Sequence, residues 1–199
     1  MAKTLEGKKI AILATDGFEQ VELTQPKKAL EDAGAQTVVI APHSGAIKAW
    51  KTNDWGDTVK VGQTLDQAKA QDYDALLLPG GVMNPDRLRM EPKAVAFVKD
   101  FVATGRTVAA ICHGPWTLIE AGVVQGRTMT SWPSIRTDLK NAGAHVVDQE
   151  VATDGQFITS RNPDDIPAFN QAIVEAVSGQ RSRKESQPET RAAETRKAS

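Results

Sequence analysis

An α/β fold with a central, mostly parallel sheet and helices on both faces is predicted by two observations. Short apolar runs of strand length alternate along the chain with amphipathic stretches long enough to cross back over a sheet. Those stretches close on glycines, at Gly34, Gly105 and Gly122, where a helix C-terminus favours glycine.

Each element follows from its own residues. "KKIAILA" (8–14) is a compact strand. It leads through "TDGFEQ" into "VELTQPKKALEDAG", where Val21, Leu23, Ala29 and Leu30 keep helical spacing. Pro26 is expected in or near the first turns of that helix, where a missing N–H costs least. "QTVVIA" (36–41) is a second strand, and 46–62 form a small β-excursion around a turn-rich centre. "YDALLLPGG" (73–81) is a third strand ending in a glycine pair. "PKAVAFVKDFVATG" (92–105) is an amphipathic helix, and "RTVAAIC" (106–112) a fourth strand. The short helix "GPWTLIEAG" (114–122) has Pro115 at its first position. A further helix spans 133–143, a strand, Asp-Gly turn and strand fill 145–160, and a closing helix covers 162–177.

The chain has 199 residues, with a body at 1–178 and a polar tail at 179–199. The tail has no large apolar residue and a charge of +3, leaving −4 on the body. Such a segment cannot bury enough surface to offset its ordering entropy and is expected to be disordered. A net charge of −1 makes no electrostatic case for nucleic acid or an anionic membrane. The opening "MAKTLEGKKIAILA" is too short and too charged for a secretory signal, and no apolar run reaches the ~20 residues of a membrane span. A cytoplasmic location is therefore expected. One cysteine forms no internal disulfide and no thiolate metal cage. Neither G-x-G-x-x-G nor G-x-x-x-x-G-K-[ST] occurs, so no dinucleotide or nucleoside triphosphate is indicated.

In open α/β sheets the active groups gather beyond the carboxyl ends of the strands. That rule singles out "TDGFEQ", "PGGVMNPDR" and "CHGPW". Cys112 ends a strand and meets a helix start, with Gly114 two residues on, as in a nucleophile elbow. A lone cysteine after an apolar run is ordinarily a core residue. The His-Gly-Pro that follows points instead to a reactive thiol, whose pKa the helix N-terminus is expected to depress. His113 adjoins it, although adjacency alone makes no dyad. Glu19, just past the first strand, is the carboxyl expected within reach of the sulfur, protonated if buried. Glu22 is a second candidate that helical phase is expected to turn away. The Gly81 and His113 N–H groups form a candidate oxyanion hole, with Gly80 beside it. Asp86 is a helix cap or a third acid.

Together "ATDGFEQVEL", "ALLLPGG", "NPDRLR", "AAICHGP" and "TSRNPDD" resemble the PfpI-like branch of the superfamily that includes the Parkinson's-linked deglycase. The resemblance spans about 8–178. It implies a flavodoxin-like three-layer sandwich, the fold class shared with class I glutamine amidotransferases. The downstream His and Glu two residues apart of those amidotransferases have no counterpart at His145, which is followed by Val146 and Val147. The resemblance assigns Cys112 as nucleophile, His113 as its neighbour, and Glu19 as the acid on the sulfur. It makes Asp86 an acid that reaches His113 from an adjacent subunit. Trp116 stands where relatives often have Gln, and would wall the pocket together with Gly80 and Gly114.

The implied activity is that of a stress-response cysteine enzyme acting on reactive dicarbonyls or their early protein adducts, without a cofactor or metal. An intracellular cysteine peptidase is the alternative within the enzyme class. A redox sensor or holdase, with Cys112 oxidised to a sulfinate, is the alternative outside it. A homodimer or larger homo-oligomer is expected.

Overall fold

The computed structural model describes residues 4–179. In chain order its elements are β1 (Lys9–Leu13), β2 (Phe18–Glu19), α1 (Gln20–Asp32), β3 (Gln36–Ala41), β4 (Ala46–Lys51), β5 (Asp54–Lys60), β6 (Gln63–Thr64) and β7 (Ala75–Leu78). Then come α2 (Met83–Arg89), α3 (Pro92–Ala103), β8 (Thr107–Ile111), α4 (Pro115–Glu120), β9 (Thr128–Met129) and α5 (Arg136–Asn141). The chain closes with β10 (His145–Val146), β11 (Val151–Asp154), β12 (Phe157–Ser160) and α6 (Ile166–Val177).

The main sheet has seven strands in the order β11-β12-β8-β7-β1-β3-β6. Every neighbouring pair is parallel except β11 with β12, which the Asp154–Gly155 turn joins as a hairpin. Strand β1 shows how the layers form. Ile10 and Ile12 pack on one side with Leu23 and Leu30 of α1 and Phe169 and Ile173 of α6. Ala11 and Leu13 pack on the other with Phe97 and Phe101 of α3, Leu118 of α4 and Leu139 of α5. Side chains that alternate across a strand bury both faces, so the sheet is the middle layer of a three-layer sandwich. From β1 the chain first builds outward through β3, then returns to β7 on the other side, so the order reverses at β1 and β7. That reversal opens the crevice where α/β sheets place their chemistry.

The predicted β-excursion is the antiparallel pair β4–β5, which joins β2 in a separate three-stranded sheet. Three local expectations change. Pro26 lies in the middle of α1 instead of its first turns, because the helix starts at Gln20. It thereby leaves the Glu22 carbonyl without its intrahelical N–H partner. His145 and Val146 pair with β9 in a small sheet of their own, apart from the β11–β12 hairpin. The loop after the third strand holds a helix, α2, that the apolar pattern did not announce. The tail expected at 179–199 lies outside the described residues apart from Gly179. No helix among the described residues is long and apolar enough to cross a membrane.

Candidate active site

Strand β8 ends at Ile111 and α4 begins at Pro115, so three residues turn the chain. Cys112 takes the strained position, with φ +62, in the left-handed region that residues bearing a Cβ rarely adopt. Its backbone is held on both sides: the Cys112 N–H donates to the Ser160 carbonyl at 3.0 Å, and its carbonyl accepts from the Trp132 N–H at 3.0 Å. The elbow expected from the sequence is therefore present, and the side chain is 6% exposed.

Two chain segments meet the sulfur. The first is the loop after β7, where the Gly81 N–H, with the His113 N–H, hydrogen-bonds the sulfur. Gly81 has φ +77, which suits glycine. Gly80 is required for a different reason. A Cβ there would lie 2.5 Å from Glu22 Oε2, 2.7 Å from Cys112 Cβ and 2.8 Å from the Ile111 carbonyl oxygen. Gly114 packs as closely under the Leu78 carbonyl, where a Cβ would stand 2.5 Å away. Gly80→Ala is expected to lower the unfolding free energy by roughly 3 kcal/mol, since backbone and the buried acid must both give way. Urea unfolding of the variant beside wild type measures this, and an unchanged midpoint would mean that the loop relaxes freely.

The second segment is the start of α1, and here the structure corrects the sequence reading. The carboxyl beside the thiol belongs to Glu22, and Glu19 faces elsewhere. Glu19 is not yet helical: its backbone is extended (φ −64, ψ 122), it pairs with Trp50 as part of β2, and its N–H donates to the Gly80 carbonyl at 3.3 Å. It thus meets the glycine loop through its backbone. Glu22 sits in the first turn of the helix, fully buried, on the stripe it shares with Pro26 and Leu30. An acid at i, i+4, i+8 of an apolar stripe was the signal that could have identified it. Glu22 Oε2 accepts from the Gly80 N–H at 2.8 Å. Oε1 is buried, with no hydrogen-bond partner among the described residues. The Cys112 thiol is the side chain that acts on this carboxyl, favouring its charged form.

Burial pushes the Glu22 pKa up to about 8, against hydrogen bonds from Cys112, Gly80 and Gly81 that lower it. Glu22 is therefore protonated at neutral pH and can donate to the sulfur through Oε1. Burial also pushes the Cys112 thiol up, and an ionised Glu22 would push it further. This corrects the expected depression. The Gly81 and His113 amides favour the thiolate, but desolvation outweighs them, and α4, with six residues, is short. Such a thiol needs a base at hand.

That base is adjacent. His113 Nδ1 lies 3.2 Å from Cys112 Sγ, so the two neighbours in sequence are also neighbours in space. Burial lowers the His113 pKa, which keeps the ring neutral and able to accept a proton. Its other nitrogen, Nε2, lies 3.2 Å from Ser134 Oγ. Trp132 stacks on the ring at 5.9 Å between centroids, and Trp116 meets it edge-on at 5.2 Å. Trp116 is fixed by a hydrogen bond from Nε1 to Asp138 at 2.8 Å and by the Arg89 guanidinium 5.5 Å above its ring. Trp116 thus lies against His113, and Trp132 and Ser134, which the sequence reading did not single out, meet the same ring. Asp86 is exposed on α2 and makes no side-chain hydrogen bond or ion pair among the described residues. Within one chain it is not a partner of His113. Among the described residues no cluster of three or more His, Cys, Asp or Glu is arranged to hold a metal ion.

Comparison with known proteins places this arrangement among relatives. The sequence pattern described as the DJ-1/PfpI family matches residues 8–176. General stress protein 18 of Bacillus subtilis is 47% identical over 82% of this chain and 94% of its own. Protein/nucleic acid deglycase 2 of Escherichia coli is 46% identical over 84% and 96%. Putative cysteine protease YraA of Bacillus subtilis is 45% identical over 82% and 94%. Among solved structures, Drosophila melanogaster DJ-1beta superposes with a TM-score of 0.79 at 28% identity, covering 93% of this chain and 95% of that one.

Proposed function

This chain belongs to the DJ-1/PfpI family, and from that premise we propose that it is a cysteine-dependent enzyme which converts reactive α-oxoaldehydes, or their early adducts on protein side chains, to the corresponding hydroxy acids. One observation carries the reading. The buried sulfur has a neutral base at 3.2 Å, a protonated carboxyl beside it and two backbone N–H groups directed at it. A relative named as a deglycase supports the same chemistry.

The steps follow from these positions. As the Cys112 sulfur bonds to the aldehyde carbon, its proton passes to His113 Nδ1. The carbonyl π-electrons move to oxygen, and the N–H groups of Gly81 and His113 stabilise that negative charge. The imidazolium returns the proton to the oxygen, giving a hemithioacetal and a neutral ring. His113 then removes the C1 hydrogen as a proton. The C1–H electrons form the C1–C2 double bond of an enediol while the C2 oxygen is protonated. The imidazole then takes the C1 hydroxyl proton as the C1 carbonyl re-forms and delivers a proton to C2, giving a thioester and a neutral ring. Water cleaves the carbon–sulfur bond, releasing the hydroxy acid and the thiol. Glu22 holds its proton toward the sulfur throughout. From an adduct, the same sequence begins by displacing the modified amine or thiol. Stress-related service in a homo-oligomer is part of the proposal, and a relative named as a general stress protein supports the first half.

The test is incubation of the purified protein with methylglyoxal, following loss of the dicarbonyl and appearance of lactate. One lactate per methylglyoxal is expected, together with release of free lysine side chains from a freshly modified peptide. Cleavage of unmodified peptides with no dicarbonyl loss would overturn the proposal in favour of the peptidase that another relative's name suggests.

A further inference from the structure

The Gly80–Gly81 peptide unit decides whether the sulfur meets a donor or an acceptor. A trans peptide is planar, so the Gly81 N–H points opposite to the Gly80 carbonyl. That N–H is directed at the Cys112 sulfur, which turns the carbonyl away from it. Half a turn of the unit would bring the carbonyl oxygen to the sulfur instead, and the glycines on either side put up little torsional resistance to that rotation. The carbonyl must therefore be held by its partners. The Glu19 N–H reaches it at 3.3 Å, and the second donor is Asn84 Nδ2 at 3.2 Å. The same Nδ2 donates to the Pro79 carbonyl at 2.9 Å, and Oδ1 accepts from the Thr15 N–H at 2.8 Å. Asn84 is completely buried in the first turn of α2, and each of these three partners of its side chain is a backbone group.

We propose that Asn84 is the positioning residue of the oxyanion site: its amide holds the Gly80 carbonyl and so keeps the Gly81 N–H directed at the Cys112 sulfur and at the oxygen that becomes negative during the reaction. The carboxamide suits this place chemically. Its one acceptor meets a backbone N–H and its NH2 meets two carbonyls, so the group fits in a single orientation. A carboxylate would set an oxygen against both carbonyls, and a hydroxyl has one hydrogen where two carbonyls need donors. The amide also ties the loop after β1, through Thr15, to the loop after β7. Those loops are in close contact: a Cβ on Gly81 would lie 2.6 Å from the Gly17 carbonyl oxygen, and one on Gly17 would lie 2.5 Å from Met83 Cβ. Asn84 acts on the reaction through Gly81 alone.

The proposal rests on the reading of the Gly81 and His113 amides as oxyanion donors, so its test includes measurements independent of turnover. Residual dipolar couplings of the Gly81 amide in 15N-labelled protein report the direction of its N–H. Iodoacetamide alkylation of Cys112 across pH reports how well the site supports the thiolate. In Asn84→Ala the Gly81 coupling is expected to depart from its wild-type value while the amides of β1 and β8 keep theirs. Its kcat for methylglyoxal should fall about 10²-fold with little change in KM, the effect of losing one oxyanion donor. Alkylation at neutral pH should slow as well. Asn84→Asp keeps the shape and the acceptor for Thr15, and it carries the comparison should Asn84→Ala fail to fold. Protonated, that side chain still donates to one carbonyl; ionised, it repels both, so its kcat relative to wild type should fall as pH rises. A purely structural Asn84 would lower the urea midpoint of the variants while the Gly81 coupling and the kcat per folded molecule stayed at wild-type values, and that result would overturn the proposal. Absence of turnover in wild type would remove the proposed reaction, and the couplings and alkylation rates would still decide for or against Asn84.

Discussion

Cys112→Ser is expected to reduce methylglyoxal consumption at least 10³-fold while leaving the fold intact. The size follows from the mechanism. A serine hydroxyl is far less acidic than a thiol, and the single base at 3.2 Å, a neutral imidazole, is positioned for the longer C–S bond. The substitution removes little apolar burial and keeps a Cβ at the same φ of +62, so stability should change by no more than about 1 kcal/mol. Circular dichroism and urea unfolding check the fold, and lactate production checks the rate. A variant retaining a tenth of the activity would show that the sulfur is not the nucleophile. Turnover absent from both proteins, with ready peroxide oxidation of wild type to a sulfinate, would make the site a redox sensor instead. The buried acid and the two amides would then serve the oxidised sulfur.

The second large effect concerns stability against pH and belongs to Glu22. Its folded pKa is raised from 4.5 to about 8 by burial. An acid whose folded pKa is raised binds its proton more tightly in the native state than in the unfolded one. Between pH 4.5 and 8 the native chain therefore holds more protons, and stability falls as pH rises, by at most ~1.4 kcal/mol per unit. Glu22→Gln keeps the shape, accepts from the Gly80 N–H and places an N–H toward the sulfur, but does not titrate. The variant is expected to lose this slope and to gain on wild type by several kcal/mol between pH 5 and pH 8. His113, whose pKa is lowered, acts in the opposite sense below pH 6.5, but it is common to both proteins and cancels in the difference. Urea unfolding of the two proteins across this range makes the comparison. Parallel curves would mean that Glu22 is ionised in the native state at neutral pH. Glu19, whose own pKa burial raises and whose charge raises that of Glu22, acts in the same direction, so Glu19→Gln is expected to weaken the slope without abolishing it.

The sandwich was legible because each layer has a period. In β1 the residues Ile10, Ala11, Ile12 and Leu13 are all apolar, which requires cover on both faces, and the glycines after the amphipathic stretches mark where the covering helices stop. Helix α2 was not legible, because "MNPDRLR" has one large apolar side chain, Leu88, in the core and takes its place from the helices around it. The Cys112 elbow was legible for a local reason: a strand followed at once by Cys-His-Gly-Pro leaves little choice of turn.

The acid was a different matter. Which of Glu19 and Glu22 meets the sulfur depends on where α1 starts, and β2 decides that by drawing Glu19 into an extended pairing with Trp50. Helix phase counted from Gln20 then directs Glu22 inward, to a Gly80 whose missing side chain leaves the space. The direction of the thiol shift likewise depended on burial, which a sequence does not measure, and the expected help from a helix N-terminus was outweighed by desolvation. Ser134 and Trp132 stand 21 and 19 residues beyond His113 and reach it because a backbone bond brings Trp132 to the elbow. The amino-acid sequence by itself determined the layers, the elbow and the thiol at its tip, because these follow from local periodicity and turn chemistry. Only the tertiary structure decided which acid, which hydroxyl and which rings surround that thiol, because those contacts join segments far apart in the chain through space that packing alone defines.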